Sequence, residues 1–173
     1  LNLANNSITS VFEDFTLGSL QSLNLSHNLI EIINTSDLET LVRKPITIDL
    51  TYNRIEEISY QSFSEQTPEA RVILNHNPIT CDCRLVELVK YLKNRNHPEA
   101  LNNPNFVTTD LVCSNPAHLT SKLVSSLEPL DLECLLDGPL TTKKYCPSDC
   151  ECKTRPVDKL LRISCNASMN SEL

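Results

Sequence analysis

The residues of this chain most able to do chemistry are eight cysteines and four histidines, and the cysteines are unevenly placed. All eight lie beyond residue 80: Cys81, Cys83, Cys113 and Cys134, then Cys146, Cys150, Cys152 and Cys165. Thiolates at C-x-C and C-x3-C spacing can hold zinc. An even number of cysteines in a secreted chain can instead form a disulfide framework whose pairing the sequence leaves open. Four N-x-S/T sequons, at Asn5, Asn24, Asn34 and Asn166, favour the secreted setting and with it disulfides. No histidine clusters with either tetrad. No cofactor is expected beyond N-linked glycans. His97, ahead of Pro98, and His118 form no nucleophile–base pattern with the scattered Asp and Ser residues, so the chain does not read as an enzyme.

Composition narrows the classes further. The net charge of −7 disfavours a basic nucleic-acid-binding face. Aromatic residues make up 5% of the 173 residues, Trp is absent and only 2 are Gly, which excludes a large aromatic core. No signal peptide and no apolar run long enough to span a membrane is present. A secreted origin therefore implies an excised piece, and Leu1-Asn2-Leu3 begins in mid-pattern.

That pattern positions everything upstream of the cysteines. Leu1-x-Leu3-x-x-Asn6-x-Ile8, Leu20-x-x-Leu23-x-Leu25-x-x-Asn28-x-Ile30, Ile48-x-Leu50-x-x-Asn53-x-Ile55 and Val72-x-Leu74-x-x-Asn77-x-Ile79 share one register. Their asparagines are spaced 22, 25 and 24 residues apart, within the 20–29 period of leucine-rich repeats. Alternation of Leu23 and Leu25 with Asn24 predicts a short strand with leucines inward. One such unit cannot bury its own apolar face, so neighbours stack into a common core. Asn6, Asn28, Asn53 and Asn77 are expected to form a structural ladder that satisfies backbone groups at each inward turn. Phe12, Phe15 and Phe63 are expected as spacers on the convex side. Ser36-x-x-Glu39 and Ser62-x-x-Glu65 read as capping boxes of short helices there. Pro45, where the pattern wants its first leucine, makes the third repeat the least regular.

The outward strand positions line up in three columns: Asn2, Asn24, Asp49 and Ile73; Ala4, Ser26, Thr51 and Asn75; Asn5, His27, Tyr52 and His76. They predict an exposed polar concave surface for a protein partner, with His27, Asp49, Tyr52 and His76 as its candidate residues. A metal between His27 and His76 is not indicated, because two strand spacings separate them by roughly 9–10 Å.

A stack of repeats ends in an open core that must be covered. Asn77-Pro78-Ile79-Thr80-Cys81-Asp82-Cys83 leads straight from the last repeat into a predicted helix over 84–93, with Leu85, Leu88, Val89 and Leu92 on one stripe. CDC, a helix, C-x2-P-x2-L and L-x-x-L-x-P-L-D-L-x-C together resemble the C-terminal cap of extracellular leucine-rich-repeat proteins, with Tyr91 where that family often has Trp. The resemblance implies the pairs Cys81–Cys113 and Cys83–Cys134. Each would close a loop worth roughly 3.5–4 kcal/mol in the chain-entropy model. Cys146-Pro147-x2-Cys150-x-Cys152-x12-Cys165 resembles the N-terminal cap of the same proteins. That implies Cys146–Cys152 and Cys150–Cys165, with Lys159–Ser164 as a strand that would cover a following block of repeats.

The organisation so read is an α/β leucine-rich-repeat solenoid, its parallel strands on the concave face, with two disulfide-rich capping modules. Residues 1–79 hold about four repeats, the first truncated, and 80–134 the C-terminal cap. Residues 135–145 are a link containing Gly138-Pro139, and 146–173 the N-terminal cap of a further, truncated block. Back-to-back caps, and the run K-T-R-P-V-D-K-L-L-R-I-S between Cys152 and Cys165, resemble the junction in invertebrate Toll receptors. The resemblance implies an extracellular ectodomain of a single-pass receptor, anchored by a segment not present here. It implies a cystine-knot cytokine as protein ligand, receptor self-association, and signalling in innate immunity or development. The two caps and the link would set the angle between blocks, so a flexible insert in the link should impair signalling. The alternative is a secreted, Slit-like adhesion or guidance protein.

Overall fold

The computed structural model describes residues 1–11, 20–33, 46–58, 70–94, 105–135, 146–147 and 150–165. Phe12, Phe15, Phe63, Pro45, both capping boxes and His97 lie outside them. Along the chain the strands are β1 (Ser22–Asn24), β2 (Ile32–Ile33), β3 (Thr47–Asp49), β4 (Glu57–Ile58), β5 (Arg71–Ile73) and β6 (Ile79–Thr80). Helix α1 (Val86–Lys93) follows, then β7 (Asn105–Val107), β8 (Cys113–Asn115), β9 (Cys134–Leu135), β10 (Cys150–Arg155) and β11 (Leu160–Cys165).

The repeat register becomes a parallel sheet in the order β1-β3-β5-β7. Leu23, Ile48, Val72 and Phe106 sit opposite one another along it, and all four are buried. Apolar residues at every second position fill one face because successive side chains point to opposite sides. The second column inward, Leu25, Leu50 and Leu74, is also buried, and so are Ile30, Ile55 and Ile79 past each turn. On the far side of the coils β2 pairs with β4, and β6 with β8. The core lies between these sheets and runs without a break into the cap.

Strand β7 has no counterpart in the sequence reading. Asn105-Phe106-Val107 carries one inward residue and no ladder asparagine, so it breaks the repeat pattern while still extending the sheet. Phe106 packs edge-on against Tyr91 of α1, with ring centroids 6.1 Å apart. Tyr91 is itself buried, so an aromatic pair closes the end of the core. The predicted helix over 84–93 divides into a 3-10 turn at Cys83–Leu85 and α1. Asp82 caps the turn by accepting a hydrogen bond from the Arg84 amide at 2.9 Å. Leu88 and Val89 face the core, and Lys90 and Lys93 in the last turn suit the negative end of the helix dipole.

Three further readings change. Ser26, expected on the open face, is buried. Leu135, placed at the start of the link, belongs to β9 and pairs with Lys153. The second-cap strand covers Leu160–Cys165 rather than 159–164, with Lys159 in the preceding turn at φ 58.

Candidate functional site

The ladder asparagines are joined to the turn they follow and, from Asn28 onward, to the coil before it. Asn53 Nδ2 donates to the carbonyls of Leu50 and Thr51 in its own repeat, and to Leu25 one repeat back at 2.9 Å. Its Oδ1 accepts from the Ile30 amide at 3.1 Å. Asn28 makes the same set with Leu25, Ser26, Leu3 and Ile8, and Asn77 with Leu74, Leu50 and Ile55. Asn28, Asn53 and Asn77 are buried, so every bond replaces water that the backbone has lost. Asn6 is exposed and holds only the Leu3 and Ala4 carbonyls.

To aim each asparagine inward the chain must turn sharply one residue earlier. Asn5, His27, Tyr52 and His76 all take the left-handed conformation there, at φ 58, 54, 54 and 60. Asn and His enter this region more readily than other residues, whereas a bulky Tyr is an outlier. The rings then stack: His27 on Tyr52 at 4.5 Å and 5°, and Tyr52 on His76 at 4.3 Å and 19°. Left-handed backbone costs about 1–2 kcal/mol per residue, and each aromatic pair returns about 0.5–1.5 kcal/mol. Tyr52, which has two partners, is thereby compensated. All three rings are exposed.

Asp49 does not join them. Its Oδ1 accepts from the Thr51 amide at 3.0 Å, as Asn24 Oδ1 does from Ser26 at 2.9 Å and Asn2 Oδ1 from Ala4 at 3.0 Å. Three members of this column are therefore turned toward their own backbone in a local Asx turn, and the fourth position, Ile73, has no side-chain oxygen to make one. Asn5 is exposed and Asn24 half-buried, while Asn34 and Asn166 lie outside the described residues.

All eight cysteines are in disulfides: Cys81–Cys113, Cys83–Cys134, Cys146–Cys152 and Cys150–Cys165. Asp82 lies close to Cys83 and Cys134, but the two sulfurs are bonded to each other and cannot coordinate a metal. Arg84 ties the first cap to the repeats by bridging Asp82 and Glu57 of β4. Hydrogen bonding to Asp82 and then Glu57 raises the Arg84 pKa further above its already high value.

Strand β9 of the first cap pairs antiparallel with β10 of the second, Cys134 opposite Thr154, so that β11-β10-β9 forms one sheet across both modules. Arg155 reaches back from β10 to donate to the Leu130 carbonyl at 3.2 Å. Its other nitrogens grip Asp158 across the turn, Nε to Oδ1 at 2.9 Å. That hydrogen bond holds Asp158 below the ordinary aspartate range and raises Arg155. Arg162 of β11 pairs with Glu133 at 3.3 Å. Arg155, Asp158 and Arg162 lie in the run that resembles the Toll junction, but the sequence assigns no pairing to them or to Glu133. The i,i+3 spacing of Arg155 and Asp158 hints at theirs. Beside this sheet is a cleft of about 640 Å³ lined by Asp82, Arg84, His118, Glu133, Leu135 and Lys153 among others. Its charges are already paired: Arg84 with Asp82, Glu133 with Arg162, Lys153 with Glu151 at 3.2 Å.

Strands in repeat register, an asparagine ladder and cysteine caps define the class: a leucine-rich-repeat protein with disulfide-bonded caps, a chemistry suited to an extracellular setting. Within that class the chain is Toll-like over nearly its whole length. It is 32% identical over 175 residues to Protein toll of Drosophila melanogaster, covering 96% of this chain and 16% of that relative. The solved structure of the Toll–Spätzle complex, a hub in Drosophila development and innate immunity, matches 96% of this chain and 22% of its own chain with a TM-score of 0.77. Human 5T4 (trophoblast glycoprotein) matches 77% of this chain and 46% of its own at 25% identity, TM-score 0.61. This chain therefore spans a small part of the length of its Toll relative. No protein-family model matches it.

Proposed function

We propose that this chain is the junction between two leucine-rich blocks of a Toll-type receptor ectodomain. The repeats continue a solenoid whose receptor is anchored in the plasma membrane by a segment not present here. It binds a Spätzle-like cystine-knot cytokine and self-associates to signal in innate immunity or development. The observation that carries the reading is the sheet shared by the two caps, in a chain similar to Toll on both sides of it. A sheet that crosses the module boundary suits a part whose work is to hold two blocks at a set angle. The charge-paired cleft and the exposed His27 and His76, stacked in a column with Tyr52, suit an interaction protein.

Light scattering tests the ligand part. The ectodomain containing this chain is mixed with a processed cystine-knot cytokine and the complex is weighed. A complex of defined stoichiometry is expected. An ectodomain that remains at its own mass in excess ligand would remove the cytokine assignment.

A further inference from the structure

Asn5 holds the same backbone position as the three stacked rings. Its amide donates to the Ser26 carbonyl at 3.0 Å, as His27 does to Thr51 at 3.0 Å and Tyr52 to Asn75 at 3.4 Å. Its φ of 58 matches theirs. Asn5 therefore stands one coil from His27 on the side opposite Tyr52, next to the ring face that Tyr52 leaves uncovered. Its side chain is exposed and makes no hydrogen bond among the described residues, in contrast to Asn24, whose Oδ1 is held by Ser26. Asn5-Asn6-Ser7 is an N-glycosylation sequon.

We propose that Asn5 carries an N-linked glycan whose first N-acetylglucosamine packs on His27 and ends the ring column. The C–H face of a pyranose is apolar and slightly positive, and the face of an aromatic ring is its complement. The left-handed backbone fixes the direction in which Asn5 projects, so the sugar is delivered to the column with little further loss of freedom. A glycan in this position covers the open end of the stack and leaves the rings of Tyr52 and His76 accessible. The proposal rests on the secreted reading above.

The test uses the full chain made in a secretory host and trimmed by an endoglycosidase to one N-acetylglucosamine per occupied site. Occupancy is read by mass spectrometry and thermal unfolding is followed for wild type, Ser7→Ala (which removes the sequon and keeps the left-handed Asn5), His27→Asn and the double variant. His27→Asn removes the ring with a residue that tolerates the left-handed turn. Loss of the sugar should lower Tm by roughly 2–4 °C with His27 present and leave it unchanged in the His27→Asn background. A contact between the N-acetyl group and the His27 ring protons in a nuclear Overhauser spectrum reads the same packing if a variant folds poorly. Equal Tm losses in both backgrounds, without that contact, overturn the proposal. A bare Asn5 beside an occupied Asn24, Asn34 or Asn166 overturns it while leaving the secreted reading intact. A chain with every sequon bare overturns both.

Discussion

Asn28, Asn53 and Asn77 are where a single side chain decides the most. Asn53 satisfies three carbonyls and one amide; all but the bond to Thr51 are buried, and two of the four belong to the preceding coil. Replacing it with alanine removes every partner and leaves the backbone groups buried. With each stranded group costing about 1–3 kcal/mol and partial relaxation of the turn, Asn53→Ala should lose roughly 2–4 kcal/mol of stability. Asn6 has the same residue type and position in its repeat, yet water reaches it. Asn6→Ala should lose less than about 1 kcal/mol. Urea unfolding of the two variants measures the difference, and equal losses would show that burial does not set the ladder's contribution. The ladder was legible because a polar residue recurring at a fixed step inside an apolar pattern has few other uses. The column beside it was legible only as a register. That His27, Tyr52 and His76 share a left-handed backbone, and hence stack face to face, depends on φ angles that no pattern of side chains reveals.

At the scale of elements, the strands could be read because Leu, Ile and Val recur in a pattern with one physical explanation. Strand β7 could not, since it enters the sheet through a single phenylalanine and owes its position to Tyr91 and the cap around it. The hairpin of β10 and β11 is legible by half: the cap resemblance implies its second strand, but neither β10 nor the group that pins the turn can be read from the sequence. Asp158 is exposed and Arg155 half-buried, and the pair spans a single turn, so it contributes to local order more than to global stability. The Asp158 pKa is lowered by the hydrogen bonds from Arg155. Such a group favours the folded turn above the ordinary aspartate pKa of about 3.9 and loses that effect as pH falls through the lower, folded value. Carbon-detected titration should place the Asp158 midpoint below that of an unpaired aspartate. In Arg155→Gln the midpoint should return to the ordinary range. An unchanged midpoint would mean that the pair does not form in solution.

For the whole molecule the question is what fixes one block against the next. In the sequence the link from 135 to 145 is the natural hinge, and on that reading a flexible insert in it should uncouple the blocks. The pairing of β9 with β10 changes the expectation. Leu135 and Cys134 are hydrogen-bonded into the second cap, Arg155 reaches Leu130, and Arg162 reaches Glu133. A connection that runs through a sheet does not depend on the length of the segment that joins its strands. Doubling a loop adds only about 0.6 kcal/mol of closure entropy, too little to open a ladder backed by these contacts. A proline at 154 acts on the sheet itself, because it removes an amide from the central strand, where proline is not tolerated. Small-angle scattering on the ectodomain containing this chain should then give an ordered result. A Gly-Ser insert after Pro139 leaves the inter-block angle and its spread unchanged, whereas Thr154→Pro broadens the distribution. Signalling in cells should follow the same order, with the insert near wild type and the proline variant impaired. If the insert alone broadens the distribution, the link is the hinge and the shared sheet is only a contact between neighbours.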